Sequence, residues 1–349
     1  MKTLGRILLG LIALFVVITA VFLVTLRRDD VPYETLEATY ANAESQYLNL
    51  PGDIRVHYRD QGDPTKPVLL MVHGFSASLH TWEPLLEFLG PHYRMISLDL
   101  PGHGLTRAPG DLEVSPTYYA DLLEQFAVAM ELDSFNLMGS SMGGHVAWEY
   151  TLAHPERVDA LILVAAAGWP REDAAGARRP AILQLIGVPV IGPMLRDLEN
   201  RPLVEQGLKA SFADPAKVDA AMVDRYVNLS RAPGHRQLLI SISQRFGELQ
   251  GATPERLAAI TAPVLVMAGK LDNLVPFAHA ERFSTAIPRA TTAFFDDLGH
   301  IPQEEDPRRA AINIAAFLDV VMLANEQAAL QAAAEAETAA EVPAPTPAP

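Results

Sequence analysis

Gly139-Ser140-Ser141-Met142-Gly143 stands between an apolar run at residues 135–138 and a helix-like run at residues 145–153. A G-x-S-x-G pentapeptide in that setting reads as a sharp strand-to-helix turn, its central residue held in strained backbone geometry with the hydroxyl exposed. Anything larger than Gly139 or Gly143 would collide with the neighbouring strand or helix. The helix N-terminus just beyond the turn aims backbone N–H groups at the place where negative charge would develop. Ser141 is therefore the candidate nucleophile. Ser140 competes, but a motif centred on it would put Met138 and Met142 at the glycine positions. Alone, the pentapeptide also fits an ordinary strand-to-helix turn, so its context has to decide.

Working outward, residues 68–72 form a continuous apolar run, as a strand buried on both faces requires, and end at His73-Gly74-Phe75-Ser76. Residues 93–98 repeat the pattern and end at Asp99-Leu100-Pro101-Gly102-His103-Gly104. Ahead of both, residues 45–50 and 54–59 flank Pro51-Gly52-Asp53 and predict a hairpin. Helical stretches at 81–89, 116–131, 277–286 and 307–323 separate these strands from further ones at 160–165, 264–268 and 291–295. The alternation implies an α/β fold: a mostly parallel central sheet with helices on both faces. Between about 169 and 251 no strand signal occurs. Short helical segments at 180–186, 201–212 and 215–229, broken by prolines, read there as an insertion.

The chain thus divides into an N-terminal anchor (1–28), a linker (29–43), a core in two parts (44–168 and 252–323), a helical lid (169–251) and a tail (324–349). The tail is Ala, Glu and Gln followed by alternating proline, and is expected to be disordered. Residues 7–26 carry no charge, and about 20 apolar residues are what a transmembrane helix needs. A secretory signal has a shorter apolar run with a small-residue cleavage site, whereas this one ends in Val24-Thr25-Leu26-Arg27-Arg28. A single-pass, uncleaved anchor is expected. Lys2 and Arg6 on one side nearly balance Arg27 and Arg28 on the other, and the main domain is expected on the extracytoplasmic side, as in most N-terminal anchors. A net charge of −15 without a dense Lys/Arg cluster argues against nucleic acid as a partner. The absence of cysteine removes disulfides, a thiolate nucleophile and cysteine-ligated metal.

In combination, the loop at His73-Gly74, the loop from Asp99 to Gly104, the serine elbow, and a late acid and histidine resemble the α/β-hydrolase fold family over about residues 45–323. Within it the chain looks most like the serine esterases and lipases with a helical lid after the sixth strand. The resemblance implies a Ser-His-Asp triad in which the acid follows the serine and precedes the histidine. Asp272, in Gly269-Lys270-Leu271-Asp272 after a buried run, fits that place; Asp296 and Asp297 are rivals, but lie too near His300 to reach its far ring nitrogen easily. Among ten histidines, His300 is on a loop after the last strand that can lean over the sheet. His73 and His103 are expected to be bonded within their loops, and His145 to face outward or pack on the elbow helix. His57, His92, His154, His235 and His279 are expected at the surface or at helix ends. No pair has H-E-x-x-H spacing, so no metal is expected. The resemblance assigns the oxyanion donors to the backbone N–H groups of Phe75 and Met142 and requires no cofactor.

The implied chemistry is acyl transfer through an acyl-enzyme on a hydrophobic small-molecule carboxylic ester. Serine at the elbow separates the chain from epoxide hydrolases and haloalkane dehalogenases, which place aspartate there. Carbon-carbon bond hydrolases, perhydrolases and acyltransferases of the same fold stay open, as does a non-catalytic binding protein. In the lid, Trp169, Ile182, Leu183, Leu185, Ile186, Val188, Val190, Ile191, Met194 and Leu195 read equally as the wall of an acyl pocket or as the lid's own packing. Arg178, Arg179, Arg196 and Arg201 read as solvated surface before they read as a carboxylate receptor.

Overall fold

The structure, a computed structural model, describes residues 2–170, 191–245 and 251–340. The chain enters through helices α1 (Lys2–Leu26) and α2 (Tyr33–Tyr40). Strands β1 (Ser45–Leu50) and β2 (Ile54–Gln61) then pair antiparallel. Gly52 and Asp53 between them take φ of 86° and 58°, the left-handed geometry that a tight hairpin demands. Strands β3 (Val68–Val72), β4 (Arg94–Leu98), β5 (Phe135–Ser140), β6 (Val158–Val164), β7 (Val264–Gly269) and β8 (Ala290–Phe295) run parallel to one another. The sheet order is β1-β2-β4-β3-β5-β6-β7-β8, so β5 and the serine after it stand at the centre.

Helices α3 (Glu83–Leu89), α4 (Pro116–Ala129) and α5 (Met142–Ala153) follow β3, β4 and β5. The insertion contains α6 (Arg201–Ser211), α7 (Ala220–Ser230) and α8 (His235–Arg245), and α9 (Phe277–Ala286) and α10 (Pro307–Ala340) complete the chain. Strand periodicity sends alternate residues to opposite layers. Leu69 and Met71 join Met138, Ile162 and Met267 against α3 and α10, while Leu70 and Val72 join Leu137, Leu163 and Val266 against α4, α5 and α9. Both faces are covered, and the central strands β3, β5, β6 and β7 are largely apolar for that reason.

Four expectations change. Residues 29–43 are not a linker. They carry α2, whose buried Leu36 packs with Leu105 and Leu229, and they are strapped to the insertion. Val31 N–H donates to Arg231 O at 2.8 Å, the Arg231 guanidinium to Asp29 O at 2.7 Å, and Arg236 pairs with Asp30 at 2.6 Å. The tail is helical as far as Ala340, because Ala, Glu and Gln are strong helix formers that need no packing partner; its described positions beyond 321 are exposed. The insertion also holds α8, which polar residues at its start had hidden. Finally, residues 2–26 do form one continuous helix, yet among the described residues no helix is long and apolar enough to cross a membrane. Several α1 side chains lie outside the described residues. The expected segment at 180–186, the lid residues between 182 and 190, the side chains of Ile191 and Met194, Arg178, Arg179 and the proline-rich end beyond 340 also lie outside the described residues.

Candidate active site

Each site residue sits just past the C-terminal end of a parallel strand, where open α/β sheets bind ligands. Ser141 follows β5 and occupies the N-cap position of α5, with φ 53° and ψ −114°. A serine at an N-cap ordinarily turns its hydroxyl onto the helix backbone, but Ser141 makes no such bond. Its conformation costs about 1–3 kcal/mol and leaves the hydroxyl uncommitted. Two glycines permit the turn: a Cβ on Gly139 would meet Gly143 O at 2.2 Å, and one on Gly143 would meet Val72 O at 2.1 Å. Ser140 is placed differently. It is buried and its hydroxyl accepts from Gln303 Nε2 at 3.4 Å, whereas Ser141 is half-buried.

Asp272 stands three residues beyond β7. One carboxylate oxygen accepts the N–H groups of Leu274 at 2.7 Å and Val275 at 2.9 Å, and the other lies 2.7 Å from Nδ1 of His300. The two side chains are almost wholly shielded, at 2% and 6% exposure. A carboxylate only accepts, so the shared proton belongs to Nδ1, and the neutral imidazole presents Nε2 as a base. The rivals face water instead: Asp296 pairs with Lys270 and Asp297 with Arg309. Gln303, three residues past His300, reaches Ser140, which ties the histidine loop to the end of β5.

The loop after β3 lies against the serine, since a Cβ on Gly74 would be 3.2 Å from that of Ser141. His73 holds this loop: Nδ1 bonds Gly74 O at 2.7 Å, and Nε2 accepts Leu100 N–H at 3.0 Å. Burial keeps its pKa below the ordinary histidine value. The N–H groups of Phe75 and Met142 have no hydrogen-bond acceptor among the described residues. No group of three or more His, Cys, Asp or Glu with metal-holding geometry occurs among the described residues.

Several histidines are placed differently from expectation. His57 is fully buried and bonds Asp99 at 2.7 Å; Arg55 and Arg59, two residues away on the same face of the strand, gave no sign of that. His235 is also buried, between Tyr33 and the Leu229 carbonyl, and His279 is buried too. His145 takes one of its two expected places, stacked on Trp148 at 4.7 Å within the elbow helix. Trp169 packs edge-on against Phe283 of α9 and so belongs to the core. Arg196 pairs with Asp197, and Arg201 with Asp224.

A family model described as the alpha/beta hydrolase fold matches residues 67–307. The chain belongs to that family. Among curated α/β hydrolases and their kin, it is 31% identical to the dihydrolipoyllysine-residue acetyltransferase component of the acetoin cleaving system of Cupriavidus necator, over 79% of this chain and 68% of that one. It is 28% identical to the monoacylglycerol lipase abhd6-A of Xenopus laevis, over 76% of this chain and 80% of that one. A solved membrane phospholipase A, described as a bacterial virulence factor, superposes with a TM-score of 0.67 at 25% identity, covering 91% of this chain and 99% of that one. Relatives that are lipases and esterases support a hydrolase.

Proposed function

We propose that this α/β hydrolase is a membrane-anchored serine hydrolase that cleaves hydrophobic carboxylic esters through an acyl-enzyme. The observation that carries the reading is the strained Ser141 whose hydroxyl leaves its helix uncapped, on a sheet that also presents a buried Asp272–His300 pair. Ser141 Oγ attacks the ester carbonyl while its proton passes to Nε2 of His300. Asp272 fixes the tautomer and stabilises the imidazolium. The N–H groups of Phe75 and Met142 receive the oxyanion, each such donor supporting about 2.7–4 kcal/mol of the barrier. His300 then protonates the leaving alcohol, and water releases the acid by the same steps in reverse. No cofactor enters.

The anchor rests on the uncharged run 7–26 and on apolar α1 side chains such as Ile7, Leu11, Ile18 and Val24, all more than half exposed, an arrangement that lipid favours and water does not. The catalytic domain then lies on the extracytoplasmic side. A second reading, acyl transfer to an acceptor other than water, draws on the name of the Cupriavidus relative and uses the same acyl-enzyme.

A fluorophosphonate probe should label the membrane fraction at Ser141, and p-nitrophenyl esters of graded chain length should be turned over. Ser141→Ala should lose both, removal of residues 1–26 should shift the labelled protein to the soluble fraction, and a C-terminal reporter should be active only outside the cytoplasm. Turnover surviving in Ser141→Ala would overturn the mechanism. Full turnover only with an added acyl acceptor would favour the second reading.

A further inference from the structure

The loop that carries His300 is held by the insertion as well as by the sheet. A Cβ on Gly299 would lie 2.6 Å from Ser211 O and 2.7 Å from Ala213 N, so the loop touches the lid backbone directly. His300 N–H donates to Ser211 O at 2.7 Å. Glu305, buried to 5% exposure, accepts the N–H of Gly299 on one carboxylate oxygen at 2.6 Å and that of Asp214 on the other at 3.0 Å. Lys217 Nζ donates to the Glu305 carbonyl at 2.6 Å. Residues 211–217 of the lid and 299–305 of the histidine loop are thereby joined at several points by one acidic side chain and its backbone.

We propose that Glu305 is a positioning residue for His300, buckling the histidine loop onto the lid stem so that the seating of the lid sets where the imidazole stands. The inference rests on His300 acting as general base and adds what aims it. A carboxylate suits the task because both its oxygens accept, whereas an amide accepts on one side and donates on the other. Glu305→Gln therefore keeps volume and shape while turning an N–H₂ towards one of the two backbone donors. The other charged groups nearby are already engaged: Asp272 faces the ring, Glu304 turns to Thr81, and Asp306 pairs with Arg309. A purely structural carboxylate would affect folding and leave kcat of the folded enzyme alone.

The test uses the full chain with p-nitrophenyl butyrate, comparing Glu305→Gln, Lys217→Met and His300→Ala, with circular dichroism to confirm folding. Misplacing a catalytic group by about 1 Å costs on the order of 100-fold. Folded Glu305→Gln should thus lose about 10- to 100-fold in kcat with KM little changed, and fluorophosphonate labelling should slow in parallel. Lys217→Met should lower kcat in the same direction by a smaller factor, and it decides the matter alone if Glu305→Gln does not fold. Wild-type kcat in folded Glu305→Gln, or wild-type kcat in Lys217→Met when the other is unfolded, would overturn the positioning role. Turnover in His300→Ala would instead remove the general-base reading beneath it.

Discussion

Asp272 accepts two backbone N–H groups on one oxygen and the His300 proton on the other. Asn at this position would keep its carbonyl oxygen on the two N–H groups and turn its amide N–H₂ towards Nδ1. The ring would then hold its own proton on Nε2, the wrong tautomer for accepting one from Ser141. Asp272→Asn should accordingly fold as the parent does and lose on the order of 10⁴-fold in kcat, read from ester turnover beside a melting curve. Near-parental turnover would show that the carboxylate does not orient the histidine.

At the scale of elements, the surprise is the segment before the sheet. Its polar residues with scattered aromatics suggested a tether, yet α2 inserts Leu36, 1% exposed, between Leu105 of the loop after β4 and Leu229 of the insertion. A helix of eight residues is too short to persist alone, and tertiary packing is what holds it. Leu36→Ala should therefore destabilise the protein by about 2–5 kcal/mol, measured by urea denaturation of protein lacking residues 1–26. An effect below about 0.5 kcal/mol, as expected for a surface position, would return the segment to the status of a linker.

Over the whole molecule, burial sets the response to acid. His73, His80, His103, His145 and His235 all have pKa values held below the ordinary histidine value, in each case chiefly because burial disfavours the charged ring; for His80 the value falls to about 4. The unfolded chain protonates these rings first as pH drops below about 6.5, so protons bind the unfolded state preferentially and stability is lost in that direction. Each ring contributes up to about 1.4 kcal/mol per pH unit. Asp99 continues the trend lower down. Burial opposes its ionisation, but the His57 hydrogen bond and the surrounding histidines outweigh that and hold its carboxyl below the usual range, so its contribution is present above about pH 4 and lost beneath it. Unfolding free energy should fall steadily from pH 7.5 to pH 5 and then more steeply; a flat profile over that interval would mean that the rings are charged in the folded state.

The serine turn, the buried strands and the order of acid and histidine were legible in the residues, because period, glycine placement and strand-end chemistry are local properties of a chain. Sequence alone left Ser140, Asp296 and Asp297 as competitors. The fold sets them apart, burying the first against Gln303 and exposing the other two beside Lys270 and Arg309. The same holds for the buried His57 and His235, the strap before the sheet, and the Glu305 buckle. Their partners lie tens to hundreds of residues away, and proximity of that kind is created by packing and has no signature in neighbouring residues.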